Sequence, residues 1–277
     1  MKLLSLVTVV MVAFAANSIL SRAAIFEYHM DAKVFAGLRL ASGALMLGFL
    51  VMQRGRGWPT LDRGRVYAAL ALLVYMVPFS IAYETLPSGV GALILFGFVQ
   101  ITMFAGSAIG GMKPTVWQWA GMSLAMVGLG WLLWPTEAVT LNLFGVFCMI
   151  LAGIGWGVFS LRGRGSATPL GDMAWSFVLC FPVAIALMVY GGGWSAMGAV
   201  LAIIAGAVTS GLGYALWYRV LPQMQATTSA VAQLTVPVIA LIAGAILLDE
   251  IISAQVVYAS AIALGGIAVA VLGRRKA

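Results

Sequence analysis

The residues in this sequence best placed to do chemistry are a few polar groups set inside long apolar runs. Gln100 and Gln233 each stand near the middle of such a run, Asn17 and Ser160 lie in two others, and Arg39 is the one basic residue inside a run. Tyr75, Trp156 and Tyr214 sit at depth and add hydroxyl and indole N–H groups to large rings. In hydrocarbon these groups cost free energy unless they find partners or line a wet cavity. Two uses follow for the glutamines. They can hydrogen-bond across helices, a contact worth about 1 kcal/mol or less, or they can line a cavity with the aromatic residues, whose polar atoms would orient a small zwitterion while the rings hold its side chain.

The aromatic residues repeat on single helix faces: Tyr75 with Phe79, Trp156 with Ser160, and Tyr214 with Trp217 and Tyr218. Trp217, Tyr218 and Tyr83 fall near the ends of their runs, where interfacial anchoring is the expected role. Arg39 lies about 9 Å past Lys33 along a helix. Its two readings are snorkelling or pairing with Glu27, Asp31 or Glu84, and attraction of a substrate carboxylate. The spacings Gly106/Gly110 and Gly153/Gly157 permit close helix approach, and the fifteen methionines read as ordinary apolar filling.

What is missing narrows the chemistry. The single histidine is His29, in an expected loop, and no Asp or Glu lies deep within a run. Intramembrane metalloproteases, Ser-His proteases and carboxylate-driven proton pumps all need such groups in the membrane. No glycine-rich phosphate motif opens a strand–helix unit, which removes the support for ATP-driven transport.

The elements that hold these residues are membrane helices. Hydrophobic residues make up 63% of the chain and charged ones 8%, with a mean hydropathy of +1.07, whereas a soluble domain is roughly 25% charged. A crossing helix needs roughly 20 apolar residues. The runs give spans at 3–22, 33–52, 65–83, 89–110, 114–134, 142–161, 172–190, 196–217, 226–247 and 254–272, which makes the chain an all-α integral membrane protein of about ten helices. Cys148 and Cys180 both fall within spans and read as small packing residues.

The net charge of +7 would suit nucleic acid if it formed one patch. Instead it sorts by connection. Lys2, Arg54, Arg56, Arg63, Arg65, Lys113, Arg162, Arg164, Arg219, Arg274, Arg275 and Lys276 fall on one side, and only Arg22 and Lys33 on the other. The second side carries Glu27, Asp31, Glu84, Glu137, Asp249 and Glu250. Positive residues collect in cytoplasmic loops, so both termini are expected in the cytoplasm. The first span resembles a signal peptide in its lysine, short apolar run and small residues. Cleavage would put either the Arg54–Arg65 cluster or the C-terminal basic run on the wrong side, and the span is therefore read as retained.

Five spans per half is an odd number, so two similar halves, 1–136 and 137–277, would have to be inverted repeats. Ordered matches support this. Tyr83-x-x-Leu86-Pro87 corresponds to Tyr218-x-x-Leu221-Pro222 and Gln100 to Gln233, while Lys113, Gln118 and Gly128 match Glu250, Gln255 and Gly265.

The run Gly155-Trp156-Gly157-Val158-Phe159-Ser160 resembles the early-helix motif of the EamA-type drug/metabolite transporter superfamily. So do Gly213-Tyr214-Ala215-Leu216-Trp217-Tyr218, Leu234-x-x-Pro237 and Leu248-Asp249-Glu250. The resemblance spans nearly the whole chain and is greatest to YddG-like amino-acid exporters. In the first half Ala16-Asn17 stands where the family often has Trp-Gly, Thr102 stands for a proline and Lys113 for a glutamate.

The resemblance implies a multi-pass exporter of the bacterial inner membrane, moving a small metabolite such as an amino acid along a pathway between the repeats. Its partners would be that solute and the bilayer, with no nucleic acid and no cofactor, and the residues assign no oligomeric state. A carrier of sugar phosphates or nucleotides would want several cavity cations, and only Arg39 is available. A non-transporting structural or signalling subunit is the reading from another class.

Overall fold

A computed structural model describes residues 2–55, 57–111, 114–134, 141–163, 166–220, 223–224 and 226–273. The chain runs as α1 (Lys2–Arg22, prolonged by a π-helical turn over Ala23–Glu27), α2 (Ala32–Gln53), α3 (Arg63–Ala82), α4 (Ser88–Ile109), α5 (Val116–Leu133) and α6 (Leu143–Gly163). Then follow α7 (Pro169–Leu179 and Phe181–Tyr190), α8 (Ala196–Ile203, π-helical Ile204–Leu212 and Gly213–Val220), α9 (Ala226–Gln233 and Thr235–Leu247) and α10 (Ala254–Leu272). Among the described residues there is no strand. Among the described residues nine helical stretches are long and apolar enough to cross a membrane, and a shorter one covers Val231–Leu247.

The sequence sets most helix starts through local caps. Asp31, Asp62, Thr115, Ser195 and Ser253 accept backbone N–H groups of the first turns of α2, α3, α5, α8 and α10, as short polar side chains do at an N-cap. Thr115 and Gln118 complete a reciprocal capping box. The expected continuous ninth span is corrected. It breaks at Leu234, because Pro237 has no N–H and its ring crowds the carbonyl of Gln233. Pro182 interrupts α7 at Cys180 by the same mechanism.

The main pairings are α5 with α10, α6 with α3 and α4, α2 with α7 and α8, α1 with α8 and α9, and α4 with α9. Backbone bonds and side-chain contacts join the connections at two ends. At one end Asp31 N–H donates to the carbonyl of Gly193, and Ser88 bonds Glu250. At the other Arg65 reaches Asp172, and Thr115 Oγ1 donates to Gly273 O. Of the basic residues expected together, Arg65 and Arg162 border one cavity at this second end. Arg56, Lys113, Arg164, Arg274, Arg275 and Lys276 lie outside the described residues, as do Glu137, Leu221, Pro222 and the expected boundary after residue 136.

Packing rests on small residues. Gly153 and Gly157 face α4, where an added Cβ would come within 2.8 Å of Leu95 O and 2.7 Å of Thr102 Cβ. Gly155, between them, faces α3 so closely that a Cβ would sit 2.6 Å from Tyr75 N and 2.9 Å from Ala71 O. The α5–α10 seam is similar, with Gly121, Gly128 and Gly266 against the opposing backbone. The pair Gly106/Gly110 is different: Gly106 meets only the Leu161 side chain, and Gly110 meets no neighbouring helix. Cys148 and Cys180 are both buried and unbridged.

Gly155→Ala should destabilise the protein by about 1–3 kcal/mol, because backbone on the facing helix cannot give way as a side chain can. Gly110→Ala should be close to neutral. Melting of the two purified variants in detergent checks this, and equal melting points would show that the α3–α6 contact tolerates a methyl group.

Candidate functional site

Arg39, on α2, is completely buried. Its Nε donates to Ser210 Oγ at 3.1 Å, and its Nη2 donates to Tyr75 Oη at 3.2 Å and to Tyr214 Oη at 3.5 Å. Its guanidinium carbon lies 4.9 Å from the centre of the Phe79 ring, a cation–π distance. No carboxylate forms an ion pair with it among the described residues, where the ion pairs join Arg22 to Glu250 and Arg65 to Asp62 and Asp172. The snorkelling and surface-pairing readings are thus corrected: Arg39 points into the bundle, away from Glu27, Asp31 and Glu84. A guanidinium has five N–H donors. Those of Nη1 have no acceptor here.

The sequence builds this setting from α8. The π-helical stretch Ile204–Leu212 widens the helix at the level of Arg39, a device common at functional sites. It turns Ser210 toward Arg39 and Thr209 toward α1. Thr209 Oγ1 donates to Asn17 Oδ1 at 2.7 Å, and Ser210 Oγ donates to the same oxygen at 3.2 Å. A continuous chain therefore runs from Arg39 through Ser210 to Asn17. Gly206 lets the α2 backbone at Arg39 come against α8 with no side chain between.

Tyr75, Trp156 and Tyr214, expected to share a cavity, do come together. The Trp156 ring centre lies 4.9 Å from that of Tyr75 and 4.8 Å from that of Tyr214. The Tyr214 hydroxyl donates to Tyr75 Oη at 3.2 Å. The Tyr75 hydroxyl thus meets both Arg39 and Tyr214. Trp156 divides two crevices. One is lined by Phe14, Asn17, Tyr75, Phe79 and Tyr214 and has a volume of about 10 Å³. The other is lined by Ser160, Trp217, Ser229 and Gln233 and has a volume of about 20 Å³. Each holds about one water molecule, so the centre is closed in this conformation.

Gln100 is buried on α4 and lines neither crevice. Its Nε2 has no acceptor. The Nε2 of Gln233 donates to Ser229 O, one turn back on its own helix. Neither amide nitrogen bridges two helices. Tyr83 and Trp217, expected as interfacial anchors, are both buried. Trp217 packs 5.7 Å from Phe14 and Tyr83 4.9 Å from Phe79, so neighbouring helices and not the membrane interface receive these rings. Sequence reasoning did not single out Phe14, Thr209 or Ser210. The polar pair Thr209-Ser210 in the eighth apolar run was the available signal.

The two ends of the bundle differ. At one, Glu250 takes the N–H of Ser88 at 2.7 Å and its hydroxyl at 2.6 Å. It thereby caps α4 from the α9–α10 connection. Arg22 Nε lies 3.7 Å from the same carboxylate, and Arg22 Nη1 donates to Tyr83 O at 3.0 Å. This latch ties α1, α3 and α4 to the second half. At the opposite end a vestibule of about 390 Å³ opens among Arg65, Arg162, Asp172 and Ser176, with Phe159 and Tyr218 in its wall. Phe159 and Tyr218 also line the Gln233 crevice, so the vestibule leads toward Trp156.

An apolar helical bundle with a wholly buried cation and aromatic cluster at its centre is the build of a multi-pass membrane transporter. Residues 143–272 match the EamA-like transporter family. An uncharacterized protein of Pseudomonas aeruginosa, PA1977, is 42% identical over 96% of this chain and 93% of its own length. The uncharacterized transporter YoaV of Bacillus subtilis is 23% identical over 84% of this chain and 85% of its own. A crystal structure superposes over 99% of both chains with a TM-score of 0.70 at 15% identity, which shows a shared fold. The second half of the chain, residues 143–272, is thus an EamA-like transporter domain.

Glu250→Ala should destabilise the protein by about 1–3 kcal/mol, since it strands the Ser88 N–H and a largely buried arginine. Glu250→Gln, which keeps an acceptor, should cost less. Detergent melting curves compare the two; equal loss would mean that the carboxylate's charge and not its acceptors holds the end together.

Proposed function

We propose that this protein is a secondary transporter that exports a small carboxylate-bearing metabolite, amino acids among them, across the bacterial inner membrane by alternating access. The observation that carries this reading is Arg39, fully buried, without a counter-ion among the described residues and with Nη1 unpartnered, close to Tyr75 and Tyr214, whose rings pack on Trp156. A cation held out of water at such cost is retained where an anion comes to it. Asn17, Ser160 and Gln233 complete the lining on this reading, and Gln100 approaches it from α4.

Two inverted five-helix repeats, 1–136 and 137–277, with both termini cytoplasmic, supply the movement. The helix pairings support the repeat. Exchanging α1–α5 for α6–α10 in order converts α3·α6 into α8·α1, α4·α6 into α9·α1 and α2·α8 into α7·α3, all of which pack together. The latched end and the open vestibule suit a state closed to the outside and open to the cytoplasm. A sugar-phosphate or nucleotide carrier fits less well, because one guanidinium cannot match two or more phosphate charges.

Reporter fusions after residues 55, 163 and 273 should all report cytoplasm; a periplasmic signal at 273 would overturn the ten-span arrangement. Trp156→Ala should lower export of toxic amino-acid analogues at least tenfold at equal membrane abundance. Trp58→Ala, whose ring sits at the bundle end against Trp175, should lower it less than twofold. Equal flux in the two variants would reduce Trp156 to a packing residue. Replacing sodium should leave flux unchanged, since no deep carboxylate offers an ion site.

A further inference from the structure

We infer that the central site selects by net charge, preferring a monoanionic carboxylate with an apolar body over a zwitterion or an amine, and that the membrane potential alone drives its export. This rests on the proposed function and sharpens it. The buried side-chain polar atoms without a partner, among the described residues, are Arg39 Nη1, Trp156 Nε1 and Gln100 Nε2. All three are nitrogens with hydrogens to donate. Gln100 lies outside both crevices; a solute rich in acceptors at the centre would satisfy Arg39 Nη1 and Trp156 Nε1, whereas an ammonium group, itself a donor, satisfies neither.

The charge balance points the same way. The eight acidic residues of the chain are Glu27, Asp31, Asp62, Glu84, Glu137, Asp172, Asp249 and Glu250. Seven lie at helix ends or in connections among the described residues, and Glu137 lies outside them. Arg39 therefore supplies an uncompensated positive charge at the centre. A monoanion neutralises it. A zwitterion bound through its carboxylate leaves the charge in place and brings an ammonium close to the guanidinium, where low dielectric magnifies repulsion. The Phe79 ring face in this crevice already lies against the guanidinium.

The remaining lining of the Asn17 crevice includes Phe14, Leu95 and Phe96, which suits an aromatic or aliphatic body. An inside-negative potential expels a monoanion without any coupling ion. At about 50-fold of concentration ratio per 100 mV, it is sufficient for export.

The test uses the full-length protein in proteoliposomes and three nearly isosteric probes: phenyllactate (monoanion), phenylalanine (zwitterion) and phenylalaninol (cation). A potential is imposed with potassium and valinomycin. The expected result is initial uptake of phenyllactate at least tenfold faster than of phenylalanine, with no uptake of phenylalaninol. An inside-positive potential should accelerate phenyllactate entry. Arg39→Gln should bring phenyllactate and phenylalanine within twofold of each other, and Arg39→Lys should keep the preference. If Arg39→Gln does not survive purification, the three probes on the unaltered protein decide.

Phenylalanine moving as fast as phenyllactate, or phenyllactate flux indifferent to potential, overturns the charge selection and leaves the carboxylate carrier standing. No flux of any probe above protein-free liposomes, with the protein's melting intact, overturns both.

Discussion

A guanidinium fully removed from solvent, with no carboxylate paired to it among the described residues, is the constraint around which the interior is arranged. Moving an ion of that size out of water costs several kcal/mol even after relaxation. Here the cost is offset by hydroxyls and a ring face instead of an opposing charge. Ser210, Tyr75, Tyr214 and Phe79 surround Arg39, and they come from α8 and α3. The position of these two helices against α2 is thus tied to the solvation of one side chain. Asn17 extends the chain into α1 through Ser210.

That solvation needs backbone to approach backbone. Gly206 brings α8 onto α2 at the level of Arg39, and Gly155 brings α6 onto α3 at the level of Tyr75. Trp156, one residue further along α6, then falls between Tyr75 and Tyr214. The helices bearing the site are close-packed where they meet but interrupted elsewhere. The π-helical part of α8 and the proline breaks in α7 and α9 leave carbonyls without their usual partners. Such interruptions are tolerated at membrane depth where protein or a cavity receives them. They also give the bundle places to flex without unpacking its seams.

Little room exists around Trp156. Crevices of about 10 and 20 Å³ cannot admit an organic solute, whereas the vestibule beyond Phe159 and Tyr218 can. One end is tied at Glu250, whereas at the other the Arg65–Asp172 pair borders the vestibule. Rings wedged between the ends, not a lid, separate the vestibule from the guanidinium.

Composition and run length determined that the chain is a bundle of membrane helices, because a bilayer demands about 20 apolar residues per crossing and the caps that start α2, α3, α5, α8 and α10 are local signals. The helix bounds fell close to those read from the runs for the same reason. The gathering of Tyr75, Trp156 and Tyr214 was legible because polar atoms on deep aromatic residues are costly wherever lipid surrounds them. The role of Arg39 was not legible. Sequence gives its depth along α2 but not the direction in which it points, and a long side chain can snorkel from that depth as readily as turn inward. Only the packing of α2 against α3 and α8 decides the direction, by presenting hydroxyls on the inside and apolar surface on the outside. The latch was hidden for a related reason: Arg22, Ser88 and Glu250 are far apart in the chain, and nothing local records that their three connections meet.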